Sequence, residues 1–268
     1  MIDFDYLAKT SIYEMLEKTV NEYPDRIAVI DGSLQCTYMQ LKTWVDAFAS
    51  HLVDKGFQKG DRVGLMLPNG IHYVISYYAT HRLGGTVVQV NPLYQMSELE
   101  YIIDDAAPKW FVCQPHQSEK LEKVKNKNRM NVIFTFNEDG GDQILLTQQG
   151  TKPPPLEINA REDVAVIQYT GGTTGKSKGA MLTHFNILCN IHQTGSIYEP
   201  VIKKGEERIL GIAPLTHAMA MTNMNYSLTC VAATYIILEK FNTKALLELI
   251  KAYRPTFFVG SPTMYIAL

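Results

Sequence analysis

The chain has 268 residues, a formal net charge of −2 and 46% hydrophobic residues. This length allows a large core and lies near the size at which chains divide into domains. The near balance of charge gives no global support for a nucleic-acid partner or an anionic membrane. The sequence contains no apolar run of the roughly 18 residues that a membrane span needs, and its first residues do not form a signal-peptide pattern. We therefore expect a soluble cytoplasmic protein, and peripheral membrane contact stays open.

The first half of the chain alternates patterns typical of helices and strands. Capping-box patterns at Ser11-x-x-Glu14, Thr37-x-x-Gln40 and Ser97-x-x-Glu100 predict three helix starts, and residues 72–83 predict a further helix closed by Gly84-Gly85. Apolar runs predict strands over 27–30, 61–67, 86–90, 110–113 and 132–136. This alternation predicts an α/β fold with mainly parallel sheets flanked by helices.

A proline-rich stretch, with Pro153-Pro154-Pro155 among polar residues, is typical of a stiff linker. We therefore predict a first α/β subdomain over 1–150, a linker over 151–162 and a second α/β subdomain over 163–268. Strands are expected there at 164–169, 208–213, 234–238 and 256–259, with helices from near 183, over 217–233, over 243–253 and from 261. The last helix reaches Leu268 without a capping residue, so we expect a fragment truncated at its C-terminus.

One glycine-rich stretch follows the strand predicted at 164–169 and precedes an apolar-periodic segment. This arrangement is typical of phosphate binding, because glycines let backbone N–H groups turn toward an anion. Hydroxyls and lysines add donors and charge; the full set is Thr170, Gly171, Gly172, Thr173, Thr174, Gly175, Lys176, Ser177 and Lys178. The spacing excludes a P-loop, since position 170 is threonine where the first glycine must stand, and it excludes a dinucleotide fingerprint. We call residues 170–178 the anion loop.

The run YTGGTTGKSKGAMLTH, residues 169–184, resembles the signature loop of the adenylate-forming superfamily. That superfamily includes acyl-CoA synthetases, firefly luciferase and peptide-synthetase adenylation domains, and the end of the run is most similar to fatty-acyl-CoA ligases. The resemblance extends from about residue 11 to the end of the chain. It implies the first part of the large N-terminal domain of an acyl-CoA synthetase-like fold.

The resemblance implies ATP-dependent activation of a fatty acid to acyl-AMP and its transfer to coenzyme A, with Mg²⁺. It assigns the triphosphate to residues 170–178, with Thr173, Thr174 and Lys178 at the β- and γ-phosphates, and it makes Thr174, Lys178 and His217 the catalytic candidates. Residues 213–222, APLTHAMAMT, resemble a family segment whose histidine sits beside the acyl-adenylate. Residues 259–265 resemble a segment that leads to the acyl pocket. The substrate-binding candidates are therefore His217, Met219, Met221, Gly260 and Ser261, although methionines at helical spacing also suit an ordinary core.

Three alternatives stay open, and two other kinds of site are excluded. Another carboxylic acid, as in aryl-CoA ligases or peptide synthetases, and a nucleotide-binding module without catalysis both stay open, as does a homodimer. No metal site is expected, because His184 and His192 lack a third ligand and no cysteine pair is present. A serine hydrolase lacks its G-x-S-x-G turn. The family's adenine-binding strand, ribose-binding aspartate and C-terminal lysine are not found in these residues, so we expect residues 1–268 alone to be inactive.

Overall fold

A computed structural model describes residues 2–125, 130, 132–135, 150–170, 177–266 and 268. The helices are α1 (Phe4–Leu7), α2 (Ile12–Glu22), α3 (Tyr38–Asp54), α4 (Ile71–Arg82), α5 (Met96–Ala106), α6 (Pro115–Glu122), α7 (His184–Tyr198), α8 (Ala218–Asn225), α9 (Thr243–Tyr253) and α10 (Pro262–Ile266). The strands are β1 (Ile27–Asp31), β2 (Leu34–Thr37), β3 (Arg62–Met66), β4 (Thr86–Gln89), β5 (Trp110–Cys113), β6 (Val132–Thr135), β7 (Val164–Thr170), β8 (Lys178–Thr183), β9 (Arg208–Gly211), β10 (Thr234–Ile237) and β11 (Phe257–Phe258).

These strands form two mainly parallel sheets. The first sheet has the order β11-β9-β10-β1-β2, with only the β1–β2 pair antiparallel. The second has the order β6-β5-β3-β4-β7-β8, with only the β7–β8 pair antiparallel. Helices cover both sheets, so the predicted α/β class is confirmed.

Each sheet takes strands from both sides of the proline-rich stretch. β1 pairs with β10 in the register Val29↔Tyr235, while β7 joins the earlier strand β4 in the register Val87↔Val166. The sheets therefore do not follow the division into 1–150 and 163–268. The reason is physical: backbone pairing joins strands far apart in sequence, and a local composition change carries no information about which strands will pair.

The largest core lies between the two sheets, around α4. This helix is buried on all sides, and its side chains belong to the same cluster as Val29 of the first sheet and Val63 and Val87 of the second. The outer face of the second sheet packs on α5 and α6, and the outer face of the first sheet packs on α9. Because successive residues of a strand point to opposite faces, each central strand supplies two clusters, as Leu65 and Met66 do.

The helix starts test the capping predictions. The Ser11–Glu14 and Thr37–Gln40 capping boxes are both formed, which confirms them. The third prediction, Ser97–Glu100, is wrong: α5 begins two residues earlier, where the Gln95 N–H donates to the Glu98 carboxylate at 2.7 Å. The earlier start brings Met96 into the first turn of α5, where it packs against the same core cluster as Leu99 and Ile103.

Among the described residues no helix is both long enough and apolar enough to cross a membrane. The segment predicted as one helix over 217–233 consists of α8 followed by a π-helical turn over Tyr226–Cys230. All four cysteines are unpaired.

Candidate functional site

The anion loop connects β7 to β8, and its two ends are well defined. Thr170 pairs with Lys178 in the antiparallel register, and both side chains are exposed. The Ser177 hydroxyl donates to the Thr170 carbonyl and so links the two ends of the loop. The six other candidates of the loop, Gly171, Gly172, Thr173, Thr174, Gly175 and Lys176, lie outside the described residues.

The loop leads into a strand, β8, that the sequence pattern did not predict, and the helix expected from near residue 183 follows that strand. β8 runs back along β7 as far as the pair Val164↔Thr183, and α7 begins only at His184. The positive end of α7 therefore lies at the opposite end of β7 from the loop. The hydrophobic pattern of the sequence did not predict β8, because Lys178, Ala180 and Met181 are exposed and the strand lacks the alternation of buried residues.

Two tyrosines anchor the loop base to α5. The Tyr101 hydroxyl donates to the Ser177 carbonyl at 2.8 Å, and the Tyr169 hydroxyl donates to Asp105 Oδ2 at 2.6 Å. The two rings meet edge to face with centroids 6.3 Å apart. Burial, reinforced by the Asp105 carboxylate, raises the pKa of Tyr169, so this hydroxyl keeps its proton and remains a donor. Tyr101 on α5 therefore holds one end of the anion loop.

The carboxyl ends of strands from both sheets meet beside this loop. Asn69 follows β3, and its amide nitrogen donates to the carbonyls of Ala213 at 3.1 Å and Leu238 at 3.2 Å, which follow β9 and β10. Because β3, β4 and β7 are parallel, Thr170 leaves the second sheet at this same edge. Ligands of open α/β sheets bind outside the carboxyl ends of the strands, so this edge is the candidate site.

The histidine candidate stands at this edge, on a rigid support. His217 is the N-cap residue of α8 and is exposed, and its backbone N–H closes a turn to the Pro214 carbonyl at 2.9 Å. Within the described residues its imidazole makes no hydrogen bond. The imidazole is therefore presented to solvent at the same edge as the anion loop.

The remaining substrate-binding candidates are placed differently from one another. Met219 is 44% exposed and lines a small cavity together with Val259, whereas Met221 is fully buried in the central core. Gly260 and Ser261 follow Val259, beyond the carboxyl end of β11. A Cβ at Gly260 would lie 2.8 Å from the Phe258 ring, so a larger residue here would have to displace that ring. The structure thus brings Met219 and the 259–261 turn together and places Met221 apart from them.

Three polar residues at this edge had no role in the sequence analysis: Asn69, Gln168 and Tyr101. Each acts through a contact with a residue at least 48 positions away. The one local signal was a glutamine inside the apolar strand Val164–Thr170, where a polar side chain must find a buried partner.

The described side chains at this edge suit anion binding better than metal binding. Lys178 and the hydroxyls at the loop base supply donors, while no group of three or more His, Cys, Asp or Glu residues that could hold a metal occurs in the described part of the chain.

The fold and the site together define a class. A family model described as AMP-binding enzyme matches residues 16–268, and the chain belongs to that family. Individual relatives agree with the resemblance to fatty-acyl-CoA ligases. The chain is 33% identical over 294 residues to a long-chain-fatty-acid–CoA ligase of Bacillus subtilis, covering 98% of this chain and 52% of the relative. It is 34% identical over 293 residues to the ligase of the same name from Haemophilus influenzae, covering 96% and 52%.

Solved structures show the same similarity. A long-chain-fatty-acid-CoA ligase from Archaeoglobus fulgidus superposes with a TM-score of 0.87 at 29% identity, covering 97% of this chain and 53% of that one. ATP-bound MatB from Rhodopseudomonas palustris superposes with a TM-score of 0.84 at 28% identity, covering 96% and 50%. The chain therefore spans about half the length of the relatives it matches.

Proposed function

We propose that the full-length protein is an acid–thiol ligase that joins a fatty acid to coenzyme A at the expense of ATP. In the first step a carboxylate oxygen attacks the α-phosphorus of ATP, the bond to the bridging oxygen breaks, and pyrophosphate leaves. In the second step the thiolate of coenzyme A attacks the acyl carbonyl and AMP leaves. The names of the relatives support the fatty acid and coenzyme A as substrates.

One observation carries the proposal: the base of the anion loop and the His217 segment lie at the same carboxyl edge and are in direct contact. The Gln168 side chain, two residues before the loop, donates to the Thr216 carbonyl at 3.0 Å. Adenylation needs an anionic triphosphate and an acyl group held together in one geometry. The two segments that the resemblance assigns to these two groups are neighbours.

The roles follow from charge. Both reactants of the first step are anions, and negative charge grows on the leaving pyrophosphate. In the proposal Thr173, Thr174 and Lys178 bind the β- and γ-phosphates, the amides of Gly171, Gly172 and Gly175 complete the cradle, and Lys176 and Thr170 line it. His217 faces the acyl-adenylate. Magnesium, bound mainly by the phosphates, neutralises part of their charge.

The test is pyrophosphate exchange into ATP, measured with the full-length protein over a panel of aliphatic, aromatic and amino acids. Exchange with long-chain fatty acids and acyl-CoA formation on adding coenzyme A are expected. Exchange that depends on an aryl or amino acid would support the other-acid alternative, and ATP binding without acid-dependent exchange would support a non-catalytic module. Parallel assays with palmitate and octanoate give the chain length.

A lysine pair provides the matched control. Lys178→Met removes a charge at the anion loop and is expected to lower exchange on the order of 10²-fold, as for loss of one preorganised electrostatic group. Lys251→Met removes the same charge from the exposed surface of α9, which packs on the outer face of the first sheet. Equal activity of the two variants would contradict the role of Lys178. A cytoplasmic location belongs to the same proposal, and cell fractionation tests it.

A further inference from the structure

Gln168 is a buried polar residue inside an apolar strand. It lies on β7, two residues before Thr170, and is 8% exposed. Its amide nitrogen faces two carbonyl oxygens, those of Thr216 at 3.0 Å and Tyr169 at 3.4 Å. Since an amide oxygen cannot occupy a position between two acceptors, the orientation of this amide is determined. The side chain therefore joins the strand that enters the anion loop to the residue next to His217.

The segment that receives this hydrogen bond is already held from its other side. Asn69 accepts from the Leu215 N–H at 2.7 Å and donates to the Ala213 carbonyl at 3.1 Å. The Tyr73 hydroxyl lies 2.9 Å from the Leu215 carbonyl. Asn69 lies between β3 and α4, and Tyr73 lies on α4. Residues 213–215 are therefore held by the part of the chain that directly follows β3 of the second sheet.

Gln168 adds what these contacts lack, which is a direct link between the histidine segment and the anion loop. Thr216 is the last residue before His217, and its carbonyl accepts the hydrogen bond from a side chain of the second sheet. The side-chain amide oxygen of Gln168, Oε1, is buried and has no hydrogen-bond partner within the described residues. Burial of an unpaired amide oxygen costs free energy. A glutamine at this position of an apolar strand therefore indicates a role other than packing.

We propose that Gln168 is a positioning residue that keeps His217 in register with the anion loop. This inference rests on the proposed function. A displacement of His217 relative to the triphosphate disturbs the geometry of attack, while the loop itself continues to bind nucleotide. Loss of the Gln168 amide is therefore expected to lower kcat/KM for the acid and to change KM for ATP little.

The test is a double-mutant cycle in the full-length protein, read by acid-dependent pyrophosphate exchange. Gln168→Met keeps the length of the side chain and removes the hydrogen bond. It is expected to lower kcat/KM for the acid about tenfold in the wild-type background and less than about twofold when His217 is alanine, because residues that act through one another are not additive. Equal losses in both backgrounds would overturn the inference.

A matched control separates positioning from stability. Thr86 is also buried, and its hydroxyl donates to the carbonyl of Val164 at 2.7 Å, at the far end of β7 from the loop. Thr86→Val removes this bond between a side chain and the β7 backbone, so it is expected to lower the melting temperature and to leave kcat/KM for the acid unchanged. A kinetic loss equal to that of Gln168→Met would show that any loosening of β7 has the same effect, which contradicts a specific role.

A second variant and a second readout keep the outcome decisive. Gln168→Glu places a carboxylate against two carbonyls; once protonated it can donate to Thr216, so its activity relative to wild type is expected to rise as the pH falls. It also replaces Gln168→Met in the cycle if that variant does not fold.

The NMR shift of the His217 ring, recorded without substrates, is expected to move in the Gln168 variants and not in Thr86→Val. A moved shift in a protein without exchange activity leaves the positioning intact and refutes the proposed function; an unmoved shift refutes the positioning.

Discussion

The anchor of the anion loop on α5 allows one prediction to be worked out in full. Tyr101→Phe removes only the hydroxyl that donates to the Ser177 carbonyl at 2.8 Å. A neutral hydrogen bond contributes a net stabilisation of about 1 kcal/mol. Ser177 is half-buried, so water can reach the carbonyl that is left and no larger penalty is expected. If this free energy holds the loop in its binding conformation, its loss raises the KM for ATP about fivefold.

The assay is the ATP dependence of pyrophosphate release by the full-length protein, together with thermal unfolding. Tyr38→Phe is the control, because it removes a hydroxyl that donates to the Ala233 carbonyl at 2.7 Å in the core between the two sheets. That variant is expected to lower the melting temperature without changing the KM for ATP. An unchanged KM in Tyr101→Phe, or the same increase in both variants, would refute the reasoning that α5 positions the loop.

Three further predictions concern the core and the candidate histidine. Gly211→Ala places a methyl group against the hydroxyl of the buried Tyr235, and this overpacking is expected to cost about 1–3 kcal/mol in the free energy of unfolding, measured in urea; unchanged stability would contradict the close approach. Burial lowers the pKa of His184 from 6.5 to about 4. The unfolded chain therefore takes up a proton that the folded chain refuses, so this residue removes about 2 kcal/mol of stability between pH 7 and pH 5. His184→Gln should flatten that pH dependence, and an unaltered slope would count against it. His217→Ala, at an exposed position, is expected to lower acid-dependent exchange at least tenfold with a change in stability within about 0.5 kcal/mol; a melting temperature that falls in parallel with activity would instead indicate a structural role.

The sequence patterns predicted elements better than connections. Most strands were placed to within two residues, because their apolar runs are long and lie between turn residues, as for Trp110–Cys113. Two strands were missed, β2 and β8. β8, beside the anion loop, is stabilised by backbone pairing with β7 rather than by burial of its side chains. Because the hydrophobic period is absent from β8, the sequence pattern placed the next element after the glycine-rich turn at the helix near residue 183.

The candidate site shows the same limit. Its chemical groups could be read from the run 169–184, since glycines, hydroxyls and lysines in one turn are a local feature. Its supporting contacts could not. No sequence pattern connects Tyr101 with Ser177, 76 positions later, or Gln168 with Thr216, 48 positions later.

By itself, then, the sequence determined the α/β class, the two capping boxes at Ser11 and Thr37, and the composition of a loop suited to phosphate. The tertiary structure alone decided that this loop joins two antiparallel strands, that each sheet draws on both halves of the chain, and that His217 stands beside the loop. The physical reason is the range of the interactions. Capping, turn chemistry and side-chain period depend on neighbours a few residues apart, whereas strand pairing and buried hydrogen bonds depend on residues that only the folded chain brings together.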